Sequence, residues 1–153
     1  LKTTAEQLHI PAGFCTVTQA HRTLFSCACG ADKDALEKSR KYEKMEKDAL
    51  NNAYRAGLKL GFGSDIDRKN FCAHPGMEFY ARTDWYDFAP LDILLQATKY
   101  SAEIAGLDCR KGTIAVGKQA ELVIIDGKPD EDIYVMKKMP KFVFYRGELI
   151  ENA

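Results

Sequence analysis

Gly57-Leu58-Lys59-Leu60-Gly61-Phe62-Gly63-Ser64-Asp65 is the stretch whose reading decides the fold. A helical pattern runs into it and stops at Gly57. A short apolar strand follows, and two small residues then lead to a carboxylate. A buried strand that delivers an acid to its C-terminal end belongs to a parallel α/β architecture, in which chemistry collects at that end of the strands. Spacing alone leaves two readings of Asp65 open. It is either such an acid or a turn residue, since Asp after Ser is ordinary loop chemistry.

Upstream, Gly13-Phe14-Cys15-Thr16-Val17-Thr18-Gln19 has the β-branched and aromatic content of a strand, with His21 just past its end. Asp32 or Asp34 can cap a helix over about 32–56. Ala35, Tyr42, Met45, Ala49 and Ala53 form its expected apolar stripe. Its other face carries Glu37–Lys41 and Glu43–Lys47 in the favourable i,i+4 order, which reads as a solvated surface. Strand 13–19, this helix and strand 58–63 make a βαβ unit, which requires parallel strands and a right-handed crossover. His21 and Asp65 then lie at the same end of the two strands.

Downstream, a polar loop from Ile66 to His74 precedes Pro75, which suits the first turn of a helix through Met77, Phe79 and Tyr80. Trp85-Tyr86-Asp87-Phe88 closes that segment, with Trp85 and Tyr86 as packing residues. Pro90 starts another helix, with Leu91, Leu94, Leu95, Ala102 and Ala105 expected on one face and Gly106 as terminator. The character then changes to short apolar runs punctuated by glycine: Gly112–Gly117, Glu121–Gly127, Phe142–Tyr145 and Leu149-Ile150, the last two joined by a turn at Arg146-Gly147. The run Ile133 to Met136 fits either helix or strand.

The 153 residues suit one domain of common size. A formal net charge of zero provides no field to draw the chain to nucleic acid or anionic membrane. No window approaches the roughly 18 unbroken apolar residues of a membrane span. The start, Leu1-Lys2-Thr3-Thr4, has no apolar signal-peptide core and no Met, so the true N-terminus is expected upstream. Five cysteines, Cys15, Cys27, Cys29, Cys72 and Cys109, are an odd number in a chain that is not small, and read as free thiols of a cytoplasmic protein. Cys27 and Cys29 near His21 lack the usual zinc spacing and read as small buried residues.

Taken together, these segments resemble the amidohydrolase superfamily. Ala56-Gly57-Leu58-Lys59-Leu60 followed by Gly63-Ser64-Asp65 resembles its eighth barrel strand. Ala89-Pro90-Leu91 through Gly106-Leu107 resembles its last helix. Gly112-Thr113-Ile114-Ala115-Val116-Gly117-Lys118-Gln119-Ala120-Glu121-Leu122-Val123 and Gly127-Lys128-Pro129-Asp130-Glu131-Asp132-Ile133 resemble the turn and strand motifs that follow. The motifs occur in the family's order over roughly residues 50–151. The imidazolonepropionase-like and Xaa-Pro dipeptidase-like (prolidase) branch is the nearest match. Glu121 stands where the family usually has Asp. The His-x-His pair, the bridging lysine and the two middle-strand histidines of the family have no counterpart here.

The resemblance implies an α/β fold: the last two βα units of a TIM-like (β/α)8 barrel, residues 1–110, and the C-terminal part of a small β-sandwich, residues 111–153. A whole barrel needs about 250 residues. The implied activity is hydrolysis of C–N bonds, amide, peptide-like or cyclic amide, in a small-molecule substrate. The implied cofactor is a divalent metal, zinc first, as one or two ions whose remaining ligands lie outside this chain. Such an ion lowers the pKa of its water toward 7, and a neighbouring carboxylate then shuttles the proton. Asp65 matches that carboxylate as metal ligand and general acid/base. His74 and His21 are the candidate substrate-binding residues, with a surface role as the alternative for His74. A homo-oligomer is expected. A non-catalytic binding or structural piece of the same fold is the competing reading. A His-x-His strand and a lysine strand upstream in the same open reading frame are expected for the enzyme; a gene that begins at Leu1 would favour the competing reading.

Overall fold

The structure is a computed structural model that describes residues 33–64 and 76–150. The expected strand 13–19 lies outside the described residues. The expected long helix is present as α1, Lys33–Arg55. Asp34 in its first turn complements the positive end of the helix dipole. Its C-terminus closes as a double hydrogen-bonded cap: Leu58 N donates to Ala53 O at 3.1 Å and Gly57 N to Tyr54 O at 2.9 Å. That geometry places Gly57 at φ 70°, in the left-handed region where a Cβ is unfavourable, which is why glycine ends the helix here.

The apolar stripe of α1 runs along a different line from the one expected. Leu50 is buried, and Ala53 and Tyr54 pack against the same core. Met45 is 64% exposed and Ala49 is exposed as well. Leu50, Ala53 and Tyr54 stand at i, i+3, i+4, so they satisfy the helical period as well as the expected set. Tertiary packing selected between two adjacent faces that meet at Ala53.

Residues 58–64 follow as a single pass of chain, with Leu60 in an isolated β-bridge. Leu60 and Phe62 both enter the core formed with α1 and the later helices. Helix α2, Met77–Tyr86, buries Met77, Glu78, Ala81, Arg82 and Tyr86 on one side. It begins behind Gly76; the expected starter Pro75 lies outside the described residues. Trp85 and Tyr86 pack into the core, as expected. Helix α3, Pro90–Leu95, starts with Pro at its first turn. It continues as a π-helical turn, Gln96–Tyr100, and then as α4, Ser101–Ile104. Gly106 terminates it with the same double cap as Gly57, Leu107 N bonding Ala102 O at 2.8 Å.

This composite helix buries Ile93, Gln96 and Ala102, not the expected Leu91 and Ala105, which are exposed. The π turn accounts for part of the difference. One inserted residue rotates everything beyond it by about 100° relative to a regular helix.

The C-terminal section is a three-stranded antiparallel sheet in the order β1-β2-β3: Leu122–Ile124, Phe142–Tyr145 and Glu148–Ile150. Val123 pairs with Val143 and Phe144 with Leu149. β1 therefore pairs with β2 and not beside Leu60, as the change in sequence character indicated. Arg146 and Gly147 make the β2–β3 turn, both with positive φ. The run Gly112–Gly117 forms no strand, and its Ile114 and Val116 are fully in solvent.

The ambiguous run Ile133–Lys137 is a 3-10 turn, begun by Asp132, whose Oδ1 accepts from Tyr134 N at 2.9 Å. Ile133 is 1% exposed and sits in the same core as Leu60 and Ile93, so this turn is the wedge between the C-terminal section and the helices. Gly76, at φ 76°, lies so close to it that a Cβ there would stand 2.2 Å from Met136 O. Ile133→Ala is expected to lower stability by about 2–5 kcal/mol, the range for emptying a packed aliphatic site, read from the urea midpoint. A loss below about 0.5 kcal/mol, the scale of surface changes, would show that Ile133 is not the wedge.

Candidate functional site

Asp65, His74 and His21, the site residues expected from the sequence, lie outside the described residues, as do Cys15, Cys27, Cys29 and Cys72. The described part is the scaffold that leads to Asp65. Leu60 and Phe62 turn to the helices, so strand alternation assigns Gly61, Gly63 and, if the path continues, Asp65 to the opposite side.

Phe62 is held from several directions. Its backbone N–H donates to Ser101 Oγ at 3.0 Å. Ser101 Oγ in turn donates to Gln96 O at 2.6 Å, five residues back, across the π turn. The ring of Phe62 packs on Phe79, centroids 4.5 Å apart. The Arg82 guanidinium lies over the same ring, 4.7 Å from its centroid. A desolvated contact of that kind contributes about 2 kcal/mol.

Arg82 is itself 0% exposed. Its Nε donates to Glu78 Oε1 at 2.8 Å, one helical turn away on α2, and its Nη1 donates to Gln96 Oε1. Losing one partner of such a buried pair costs about 3–5 kcal/mol, because the other is left charged and unsolvated. Sequence reasoning did not single out Arg82, Gln96 or Ser101. The available signals were the i,i+4 spacing of Glu78 and Arg82 and a lone Gln within Leu94-Leu95-Gln96-Ala97-Thr98.

A cavity of about 270 Å³ opens at the other end of the strand, lined by Tyr54, Lys59, Leu60, Asp92, Gln96 and Tyr100 among others. Tyr54 donates its hydroxyl to Asp92 Oδ2. That hydrogen bond first, and burial second, push the phenol up to about 12. Lys59 pairs with Glu103 at 2.6 Å. These groups stand where the strand enters, away from Asp65. In an α/β barrel that end serves stability rather than chemistry.

Among the described residues no group of three or more His, Cys, Asp or Glu side chains could hold a metal ion. They do not make a metal site by themselves; a carboxylate at position 65 would be one donor of a set. Cys109 is free and exposed, and Glu121 is engaged by Lys111 at 2.6 Å.

A strand passing beneath two helices, a helical insertion after its C-terminal end and a small separate sheet define the class: the final part of an α/β metal-hydrolase scaffold. The chain belongs to the amidohydrolase family, whose model matches residues 5–150. No curated protein matches the sequence. Among solved structures, a prolidase complexed with N-methylphosphonate-L-proline is 30% identical, with TM-score 0.77 over 92% of this chain and 35% of the other. A putative prolidase from Bifidobacterium longum is 25% identical, with TM-score 0.74 over 83% of this chain and 31% of the other. A Xaa-Pro dipeptidase with methionine bound in its active site shares the fold at 22% identity, with TM-score 0.72 over 89% of this chain and 34% of its own. The chain thus spans about a third of the length of the solved relatives it matches. The expected resemblance and the expected fold class, the closing βα units of a TIM-like barrel followed by part of a β-sandwich, agree with these matches.

The Tyr54–Asp92 bond predicts a pH effect at the alkaline end. The folded-state phenol titrates at about 12 against an ordinary value of 10.0. The folded state therefore binds more protons between those values, and stability falls as pH rises through them. The contribution is complete below pH 10 and gone above about 12. Tyr54→Phe is expected to flatten the curve of melting temperature against pH in that window; an unchanged slope would show that Tyr54 does not carry it.

Proposed function

We propose that this chain is the C-terminal part of a metal-dependent amidohydrolase that cleaves an amide, peptide-like or cyclic amide bond in a small molecule. Support comes from family membership over residues 5–150 together with one structural observation: the strand whose Leu60 and Phe62 are locked into the helix layer leads directly to Asp65. Residues 1–110 would belong to the barrel and 111–153 to the β-sandwich. The prolidase neighbours, one of them binding a proline derivative, favour a dipeptide-like substrate. A neutral chain with no helix long and apolar enough to cross a membrane, among the described residues, is consistent with a small-molecule enzyme. We place it in the cytoplasm, as a homo-oligomer.

In this reading Asp65 is a metal ligand and the proton carrier. A divalent metal, zinc first, would supply an activated water at neutral pH. The Asp65 carboxylate would orient that water, take its proton on one oxygen and return it to the leaving nitrogen. The leaving group then departs as a neutral amine. His74, in the loop after Asp65, and His21, past the preceding strand, would contact substrate.

Asp65→Asn in the full-length protein keeps the shape and removes the basic oxygen. Its kcat is expected to fall by about two to four orders of magnitude, with the melting midpoint unchanged or raised, because active-site carboxylates are often held at a cost to the fold. Near-wild-type kcat with metal restored would overturn the assignment. The 153-residue chain by itself is expected to bind no stoichiometric zinc and to show no turnover, since catalytic zinc normally takes three protein ligands. Zinc-dependent hydrolysis of a dipeptide by this chain alone would refute the ligand division.

A further inference from the structure

We propose that Arg82 is a positioning residue. With Glu78, Gln96 and Ser101 it clamps Phe62 and so holds the strand end that leads to Asp65. The proposal rests on the reading of Asp65 given above, but its physical content is local and is measured separately.

The charge is an expensive way to fill this space. Arg82 and Glu78 are both buried, at 0% and 3% exposure, and they give up their hydration to be so. Apolar side chains of the same volume often fill such sites at equal or greater stability. What an arginine supplies instead is direction. Its planar fork aims donors at fixed angles, here at Glu78 Oε1 on α2 and Gln96 Oε1 on the π turn. Satisfying both fixes the plane of the guanidinium, and that plane covers the Phe62 ring.

The π turn contributes the second constraint. Its extra residue brings Ser101 Oγ to the Phe62 N–H, while Gln96, at the start of the same turn, accepts from Arg82. The backbone and the ring of Phe62 are thus fixed by two ends of one π-helical turn, an irregularity that is rare and is enriched at functional sites. Phe79, from α2, closes the other side of the ring. Phe62 lies three residues before Asp65, so a small tilt of its peptide moves the carboxylate. Displacement of a reacting group by about 1 Å is enough to cost about 100-fold in rate.

The test uses the full-length protein with metal bound. The double variant Arg82→Met/Glu78→Met removes both charges and keeps the bulk. Expected are a melting midpoint close to wild type, amide hydrogen exchange at Phe62 and Gly63 faster by about tenfold or more, and kcat lower by about 10- to 100-fold with KM within about twofold. Arg82→Lys keeps the charge beside Glu78 but loses the fork. It should show the same local exchange and a partial loss of kcat, and it decides the matter if the double variant does not fold. Exchange and kcat within about twofold of wild type in a folded variant would overturn the proposal, as would an exchange increase spread evenly over the molecule. Exchange is read without reference to any reaction. Local loosening in the Arg82 variants alongside full activity of Asp65→Asn would therefore sink the catalytic reading and leave the clamp standing.

Discussion

The burial of Phe62 against Arg82, Phe79 and Ser101 is the constraint on which the described structure turns. A strand in an α/β layer can present only alternate residues to the helices. Once Leu60 and Phe62 occupy that side, the other side is left to glycine and to whatever follows Ser64. Small residues at 61 and 63 are consistent with a crowded interior beyond the strand, and a carboxylate two positions on continues the same parity. The helices then have to accommodate Phe62, and both do so with polar atoms rather than with apolar packing alone.

That choice explains two irregularities that otherwise look unrelated. The buried Glu78–Arg82 pair is costly by the ordinary rules of desolvation, and the π turn at Gln96–Tyr100 departs from regular helix geometry. They meet at Gln96, which accepts from Arg82 through its side chain and from Ser101 through its backbone. An ordinary helix would leave Ser101 out of phase with Phe62 N. A methionine at 82 would fill the space without fixing an orientation.

The C-terminal section is joined to this layer through one short segment. Ile133 fills the core beside Leu60 and Ile93, Met136 lies against Gly76, and Lys137 stands over the rings of Tyr80 and Tyr134. The segment thereby borders the start of α2, immediately after the loop that contains His74. The sheet itself is thinly covered: Val123, Tyr145 and Leu149 are each about half exposed. Its strands owe their order to local pairing and to the Arg146-Gly147 turn more than to burial.

The sequence by itself determined the features that depend on neighbours along the chain. Gly57 and Gly106 end their helices because a left-handed residue is needed there, Pro90 opens a helix because its missing N–H is not used in a first turn, and Arg146-Gly147 closes a hairpin. The ordered motifs also carried the family and the α/β class, since they combine many such local signals. Tertiary structure alone decided which helical face is core. On α1, Leu50 and Met45 were both acceptable to the 3.6-residue period, and only contact with Phe88 and Ile93 chose Leu50. On the last helix the π turn rotated the buried line to Ile93 and Gln96, which no regular periodicity anticipates. Arg82 was invisible for the same reason. A charged residue on an amphipathic helix reads as solvent-facing until another element supplies the acceptors that allow it to be buried.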